Sequence, residues 1–360
     1  MMRAALALAR RSLGRTWPNP AVGCVIVKDG AIIGRGRTQD GGRPHAEVDA
    51  LKQAGEAARG AIVYVTLEPC SHFGRSPPCA DALVDAGVAK VVSAMEDPNP
   101  PVNGRGHARL KDAGIVVEVG EGAREAAEIN AGFLMRMLTG RPLFHLKLAT
   151  SLDGRIATAT GESKWITSEA ARADGQRLRA TYDAILVGAN TVEIDDPELT
   201  CRLPGLERCS PIRIVLDSKA RLSPGSKLAL TANKTPVWLL CTEDAPAQAR
   251  EDLRAKGIEV IAVASDAQGR VDVRSAAAEL GNRQLNRVLV EGGGEIAAAF
   301  LKAHLVDRVT SYQAGLLMGG DSRSAVAPLG LEKLGSAPRF ALVSSRSLGG
   351  DMVETWHRAA

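Results

Sequence analysis

Three residues far apart in the sequence constrain this chain more than anything else in it: His45, Cys70 and Cys79. The stretch reads His45-Ala46-Glu47, then twenty-one residues, then Pro69-Cys70-Ser71-His72-Phe73-Gly74-Arg75-Ser76-Pro77-Pro78-Cys79. One imidazole and two thiolates make a three-donor zinc set with a fourth position left for water, the arrangement of a reactive rather than a structural site. A fold that uses them must bring one strand end and two helix starts together. Ala61–Thr66 reads as a strand, with Cys70 past its end. The glycine-rich loop Asp40-Gly41-Gly42-Arg43-Pro44 delivers His45 to a helix running to about Ala54. Pro77-Pro78 opens a second helix, Cys79 to Ala86, at the first-turn position that proline favours. Unpaired N–H groups at two helix starts stabilise thiolate charge. Val48, Leu51 and Ala54 recur at helical spacing and predict the buried face of the first helix, which leaves Glu47 to face elsewhere.

Glu47 lies two residues past the histidine, so it can sit beside the metal without ligating it. A carboxylate there can take a proton from an activated water and deliver it to a leaving amine. His-x-Glu followed by Pro-Cys and a second Cys is the pattern of zinc deaminases. A structural zinc is the competing reading, with His72 as a fourth ligand. That reading leaves Glu47 without a role.

At 360 residues the chain is long for one core and suggests two domains. Hydrophobic content of 45% and charged content of 24% describe a soluble globular protein. A net charge of +4 fits anionic small substrates and falls short of a nucleic-acid footprint. Aromatic content of 3% offers no stacking platform for single strands. Six cysteines with no secretory signal point to a reducing cytoplasm. Cys201 and Cys209 read as ordinary thiols. The opening carries Arg3, Arg10, Arg11 and Arg15, and its first acidic residue is Asp29. That composition fits an organellar transit peptide. An amphipathic first helix is the simpler account, because the apolar run 4–9 is too short for a membrane segment.

After that helix, Ala21–Val27 reads as a buried strand, and Asp29-Gly30 as the turn into a partner strand at Ala31–Gly34. Strands at Lys90–Ala94 and Val116–Val119, with a helix near His107 to Ala113 between them, complete a five-stranded α/β sandwich. Thr139-Gly140-Arg141-Pro142 reads as the domain boundary. A fresh alternation follows, with strands at 143–149, 184–187, 212–216, 237–241, 258–263 and 287–290 and an alanine-rich helix at 275–280. The last strand enters Glu291-Gly292-Gly293-Gly294 and a helix from Glu295 to Ala303. Glycines between a strand and a helix let backbone N–H groups approach a phosphate at the positive end of the helix. A close-packed turn explains the same glycines equally well. His107, His145, His304 and His357 have no partners at metal spacing and read as structural or surface residues.

The segments Asn19-Pro20-x-Val22-Gly23-Cys24, His45-Ala46-Glu47, Thr66-Leu67-Glu68-Pro69-Cys70-Ser71-His72-x-Gly74-Arg75-x-Pro77-Pro78-Cys79 and Asp97-Pro98-Asn99-Pro100 occur in this order. Lys147-Leu148-Ala149-x-Ser151-Leu152-Asp153-Gly154-Arg155, Gly161-Glu162-Ser163-x-Trp165-Ile166-Thr167 and Asp195-Asp196-Pro197-x-Leu199-Thr200 follow. Together they resemble the bifunctional riboflavin-biosynthesis deaminase–reductase family over essentially the whole chain. The eight-residue spacer between Cys70 and Cys79 matches that family and departs from the two-residue spacer of most cytidine-type deaminases.

The resemblance implies a cytidine-deaminase-like α/β/α sandwich over residues 1–142 and a dihydrofolate-reductase-like α/β domain over 143–360. It implies zinc on His45, Cys70 and Cys79, with Glu47 catalytic in deaminating 2,5-diamino-6-(5-phosphoribosylamino)pyrimidin-4-one. It further implies hydride transfer from NADPH to the ribosyl group. By the same resemblance Ala149, Trp165, Thr191, Asp195, Ser218, Gly293, Gly294, Glu295, Ile296, Ala297, Ala298 and Ala299 contact the nucleotide. Ser163, Arg179, Leu199, Arg202 and Glu291 contact substrate. Arg179 and Arg202 suit a sugar phosphate bidentately. Lys147 is a candidate to orient the sugar oxygen, or else a surface lysine. The implied partner is a phosphoribosylaminopyrimidine, with no nucleic acid and no membrane; a homo-oligomer is left open. Two other classes stand beside this reading: a single-function base or nucleoside deaminase with a nucleotide-binding C-terminal domain, and a zinc-stabilised regulatory protein.

Overall fold

A computed structural model describes residues 1–73 and 77–359; Gly74 and Arg75 of the cysteine motif lie outside the described residues. The chain divides into two compact units, Met1–Gly140 and Arg141–Ala360. Gly140 ends the preceding helix in the left-handed region at φ 74°, a conformation glycine adopts without a Cβ clash. Arg141 belongs with the second unit because its guanidinium pairs with Asp307 at 2.7 and 2.8 Å.

The first unit runs α1 (Met2–Arg10), β1 (Gly23–Lys28), β2 (Ala31–Arg37), α2 (Ala46–Ala54), β3 (Ile62–Val65), α3 (Cys79–Asp85), β4 (Lys90–Ser93), α4 (Arg105–Asp112), β5 (Val116–Val119), α5 (Ala123–Ile129) and α6 (Ala131–Thr139). The strands form one sheet in the order β2-β1-β3-β4-β5. β1 pairs antiparallel with β2 and β3, and β3, β4 and β5 are parallel. Alternation along β1 sends Cys24 and Ile26 to one face and Val25 and Val27 to the other. The first pair packs with α2, α3 and α4 through Ala46, Ala50, Leu83 and Leu110. The second packs with α1 and α5 through Met2, Leu6, Ala126 and Ile129. The unit is therefore the three-layer α/β/α sandwich expected.

Helices approach this sheet closely because glycines face them. A Cβ on Gly36 would lie 2.0 Å from the Ala46 carbonyl oxygen and 2.6 Å from the Ala50 nitrogen, and one on Gly23 would lie 1.9 Å from the Ala5 oxygen. The contact on α2 is thus backbone against backbone. It shifts the buried face from the one expected, keeping Ala54 but exchanging Val48 for Glu47. Ala46, Glu47, Ala50 and Ala54 are buried, whereas Val48 is 38% exposed and Leu51 half-buried. Small side chains, not the larger aliphatics, fit the seam.

The second unit contains β6 (Leu143–Thr150), β7 (Arg155–Ala157), α7 (Glu169–Arg179), β8 (Ala184–Gly188), α8 (Ala189–Asp195), β9 (Ile212–Leu216), α9 (Lys227–Leu230), β10 (Val237–Thr242), α10 (Ala247–Ala255), β11 (Glu259–Val263), α11 (Val273–Asn282), β12 (Arg287–Val290), α12 (Gly294–Lys302), β13 (Val306–Gln313), β14 (Arg323–Ser324), β15 (Phe340–Leu348) and β16 (Asp351–Arg358). Nine strands form a sheet in the order β11-β10-β9-β8-β12-β6-β13-β16-β15. It is parallel from β11 to β13 and antiparallel at β16 and β15. Full burial of β8, β10 and β12 explains their unbroken apolar runs. His145 is buried on β6 between Tyr182 and Thr310, a structural histidine as expected. Cys201 and Cys209 are buried free thiols packed with Ala180.

Gly36→Ala should force α2 away from β2. Overpacking of this kind costs about 1–3 kcal/mol, and a thermal melt of the purified chain should show a midpoint lower by about 4–10 °C.

Candidate active sites

The fold assembles the three zinc donors as their positions in the sequence require. His45 is the N-cap of α2, Cys79 opens α3 behind the Pro78 cap, and Cys70 follows β3. His45 Nδ1 lies 3.6 Å from Cys70 Sγ and 3.4 Å from Cys79 Sγ, and the three donor atoms fall within 4.8 Å of one another. The Cys79 amide donates to Cys70 Sγ at 3.3 Å. The Cys79 thiol, hydrogen-bonded to Cys70, draws the Cys70 thiol down to about 4 against the effect of burial. Two sulfurs and one imidazole nitrogen at this spacing fit zinc with one position open. Among the described residues no fourth protein donor joins them, and His72 is exposed.

Glu47 projects from the first turn of α2 into this pocket and is 3% exposed. Burial pushes its carboxyl up to about 7, and Cys79 lies within hydrogen-bonding reach. A carboxyl poised near neutrality can accept and release protons at the working pH.

A residue two positions before Cys70 was quoted in the sequence motif but given no role. Glu68 is 4% exposed, and its carboxylate accepts backbone N–H bonds from Asp97, Gly104, Gly106 and His107 at 2.8 to 3.2 Å. The available signal was an acid enclosed by Leu67 and Pro69 at the end of a buried strand. Asp97 is itself buried, which pushes its carboxyl up to about 6, and its Oδ1 accepts the Asn99 amide at 2.9 Å.

In the second unit a cavity of about 1140 Å³ opens at the C-terminal ends of β8, β9 and β12. This is where open parallel sheets bind ligands. Of the expected nucleotide and substrate residues, Ser163, Thr191, Asp195, Ser218, Gly293, Gly294, Glu295, Ile296 and Ala299 line it. Ala149, Trp165, Ala297 and Ala298 do not, nor do Arg179, Leu199, Arg202 and Glu291. Ala297 and Ala298 point into the core at 0% and 3% exposure, because they occupy the sheet-facing side of α12. Ala149 packs near Tyr312 and Val353. Trp165 is 70% exposed, with the Arg172 guanidinium 4.5 Å from its ring centre.

The glycine run resolves into two different jobs. A Cβ on Gly292 would lie 2.6 Å from Ile296 Cβ, and one on Gly294 would lie 2.8 Å from the Ser324 oxygen. Those two are packing glycines. Gly293, the N-cap of α12, has φ −68° and would meet only Thr191 Oγ1 at 4.0 Å. Its empty side opens on the cavity and leaves the amides that start α12 free to meet a phosphate. Ser218 Oγ accepts the Val271 amide at 2.9 Å and fixes the far wall, beside Lys219 and Arg274. The cavity and its exposed helix start fit a dinucleotide.

Glu291, just past β12, carries a bidentate pair with Arg179 at 2.8 and 2.9 Å. Lys147 Nζ lies 3.8 Å from the same carboxylate and 5.5 Å from the Tyr312 ring centre. Burial alone would raise the Glu291 carboxyl, but Arg179, Lys147 and Arg202 bring it down to about 2. Lys147 is thus part of a buried charge cluster and not a surface lysine; burial lowers its pKa. Arg179 also donates to the Thr200 carbonyl, so its guanidinium is already engaged. Arg202 is 54% exposed at its side chain, with Glu198 at 3.3 Å. Leu199 is buried at 3%. Ser151 donates to Asp153, which accepts the Gly319 amide at 2.8 Å.

These two sites can be set beside known proteins. The family described as the cytidine and deoxycytidylate deaminase zinc-binding region matches residues 1–95, and the family described as the RibD C-terminal domain matches residues 142–354. The riboflavin biosynthesis protein RibD of Escherichia coli is 47% identical, over 98% of this chain and 96% of that one. Its counterpart from Bacillus amyloliquefaciens is 42% identical over 98% and 94%. A solved structure of Acinetobacter baumannii RibD superposes with a TM-score of 0.90 at 42% identity, covering 100% of this chain and 98% of that one. A structure from Thermotoga maritima, described as a diaminohydroxyphosphoribosylaminopyrimidine deaminase/5-amino-6-(5-phosphoribosylamino)uracil reductase, gives 0.86 at 34% identity over 99% and 97%. The chain belongs to the RibD family of riboflavin-biosynthesis enzymes, which join a zinc-dependent deaminase to an NADPH-dependent reductase.

Proposed function

We propose that the unit Met1–Gly140 deaminates 2,5-diamino-6-(5-phosphoribosylamino)pyrimidin-4-one and that the unit Arg141–Ala360 reduces the ribosyl group of the product. The observation that carries the first assignment is the convergence of His45, Cys70 and Cys79 beside the buried Glu47 carboxyl. His45, Cys70 and Cys79 hold the zinc. When bound, zinc supplies the Lewis acidity that makes a water nucleophilic near neutral pH. Glu47 accepts the proton of the attacking water and delivers it to the departing amine, so that ammonia leaves neutral.

In the reductase unit Gly293 and the amides opening α12 receive the nucleotide phosphates, while Thr191, Asp195 and Ser218 line its path. NADPH, when bound, supplies the hydride. Glu291 is held by Arg179 and Lys147 and orients the sugar, with Lys147 placed to donate toward a sugar oxygen. Of the two arginines expected at the sugar phosphate, Arg202 takes that role, since the fork of Arg179 is engaged by Glu291. A small phosphorylated substrate and a cytoplasmic location complete the proposal. Among the described residues no helix is long and apolar enough to cross a membrane. Light scattering on the purified chain reads the oligomeric state.

An assay that follows ammonia and NADPH together on the diaminopyrimidine substrate tests the whole reading. NADPH oxidation should require prior deamination. Oxidation on undeaminated substrate at the same rate would overturn the order of the two reactions.

Purified protein should hold about one zinc per chain, and Cys79→Ala should lose most of it by metal analysis. Glu47→Gln keeps the size of the side chain but not its proton transfer. It should retain zinc, release ammonia about 10²-fold or more slowly, and reduce pre-deaminated substrate at the parental rate. Gly293→Asp should fold, since the site is open and unstrained, yet bind NADPH at least ~10-fold more weakly because the new carboxylate occupies and repels the phosphate position. Gly293→Ala should lose less. Isothermal titration with NADPH and a thermal melt check both.

A further inference from the structure

Cys70 is the one zinc donor that neither caps nor opens a helix, so something else must hold it. Its carbonyl accepts the Ala80 amide at 3.1 Å, and its sulfur accepts the Cys79 amide at 3.3 Å. Two residues earlier stands Glu68, whose side chain is fully buried. Oε2 takes the amides of Asp97 at 3.1 Å and Gly104 at 2.9 Å; Oε1 takes those of Gly106 at 2.8 Å and His107 at 3.2 Å. The carboxylate therefore grips both ends of the loop 97–104 and caps the first turn of α4. Between Glu68 and Cys70 the fit is tighter still. A Cβ on Gly106 would lie 1.9 Å from the Pro69 oxygen. The segment that carries Cys70 is thus pressed against the start of α4 and tied by the Glu68 carboxyl to Gly106 and His107 of that helix, to its N-cap Gly104 and to Asp97 of the loop before it.

An ordinary helix cap needs one or two such bonds and no placement beside a metal donor. Glu68 joins two segments that share no sequence neighbourhood: the Cys70 arm and the loop bearing Asp97 and Asn99. Resting on the zinc-deaminase reading, we propose that Glu68 is a positioning residue that locks Cys70 and the 97–104 loop into one rigid wall of the deaminase pocket. It touches neither metal nor substrate. Its effect passes through the placement of the Cys70 sulfur. A glutamine at this position has one oxygen for four amides, and its own NH₂ faces N–H groups. An aspartate keeps the charge but falls one methylene short.

The test uses the full chain stripped of metal and then titrated with zinc against a competing chelator, and separately with cobalt(II), whose absorption reports ligand geometry and thiolate bonding. Glu68→Gln should weaken zinc binding by about 10- to 100-fold, the usual effect of losing a partner behind a ligand. It should also alter the cobalt spectrum. Glu68→Asp should shift both in the same direction by less. Leu110→Ala, a core truncation on the same helix, should lower the melting temperature while leaving zinc affinity and the cobalt spectrum at parental values. If Glu68→Gln does not fold, Glu68→Asp decides, and parental zinc affinity there overturns the proposal. Parental affinity and spectrum in Glu68→Gln overturn it directly. So does a Leu110→Ala variant that loses zinc as strongly as Glu68→Gln. A parent chain that takes up no zinc defeats the zinc reading itself, whereas a zinc-binding parent with an unaltered Glu68→Gln variant defeats the positioning role alone.

Discussion

Direct backbone contact between α2 and β2 sets the geometry of the deaminase unit. Gly34 and Gly36 have no side chains to hold the helix off, and α2 presents Ala46 and Ala50 to them. The helix axis is therefore fixed by peptide groups that cannot rotate away, rather than by side chains that can repack. His45 caps this helix and Glu47 lies one residue inside it, so both inherit its position. The same approach buries Glu47 at a depth where an ionised carboxylate is costly to desolvate. Proton affinity near neutrality is a result of that packing.

Charge organises the second unit where close packing organises the first. Glu291 follows β12, Arg179 ends α7 and Lys147 lies on β6, so the cluster connects three elements. Removing one member of a buried pair strands the other and typically costs about 3–5 kcal/mol. The cluster is therefore a fixed feature of the sheet on which a flexible sugar can be aligned. The cavity proposed for the nucleotide is lined by loops past β8, β9 and β12, so its chemistry can be set without disturbing the ladder of strands.

Much of this was legible in the sequence because the signals were local. Asp29-Gly30 gave the hairpin, His45 and Pro78 marked helix starts, and unbroken apolar runs marked the buried parallel strands. What escaped notice depended on partners distant in the chain. Val48 has the hydrophobicity of a core residue but is exposed, because the glycines of β2 admit only alanines. The strands β13, β15 and β16 are interrupted by Asp, Arg, Ser, Thr, Glu and His, so no apolar run announces them. In the sites, residue types chosen for chemistry were readable. Ala297 and Ala298 were not separable from Ala299 until the orientation of α12 was known. Arg179 looked like a phosphate ligand until its partner Glu291, 112 positions away, was placed beside it.

The three adjacent glycines past β12 expose a difference between being tolerated and being useful. At Gly292 and Gly294 a larger residue meets Ile296 or the backbone near Ser324 during folding, so cellular quality control would remove such variants before they act. At Gly293 the protein itself offers no objection; on the proposed function only the nucleotide does. A library of substitutions scored by abundance would therefore report two constrained sites flanking a permissive one. The same library scored by growth on endogenous riboflavin synthesis would report all three as constrained. Subtracting one profile from the other would locate the dinucleotide contact without any bound ligand being seen.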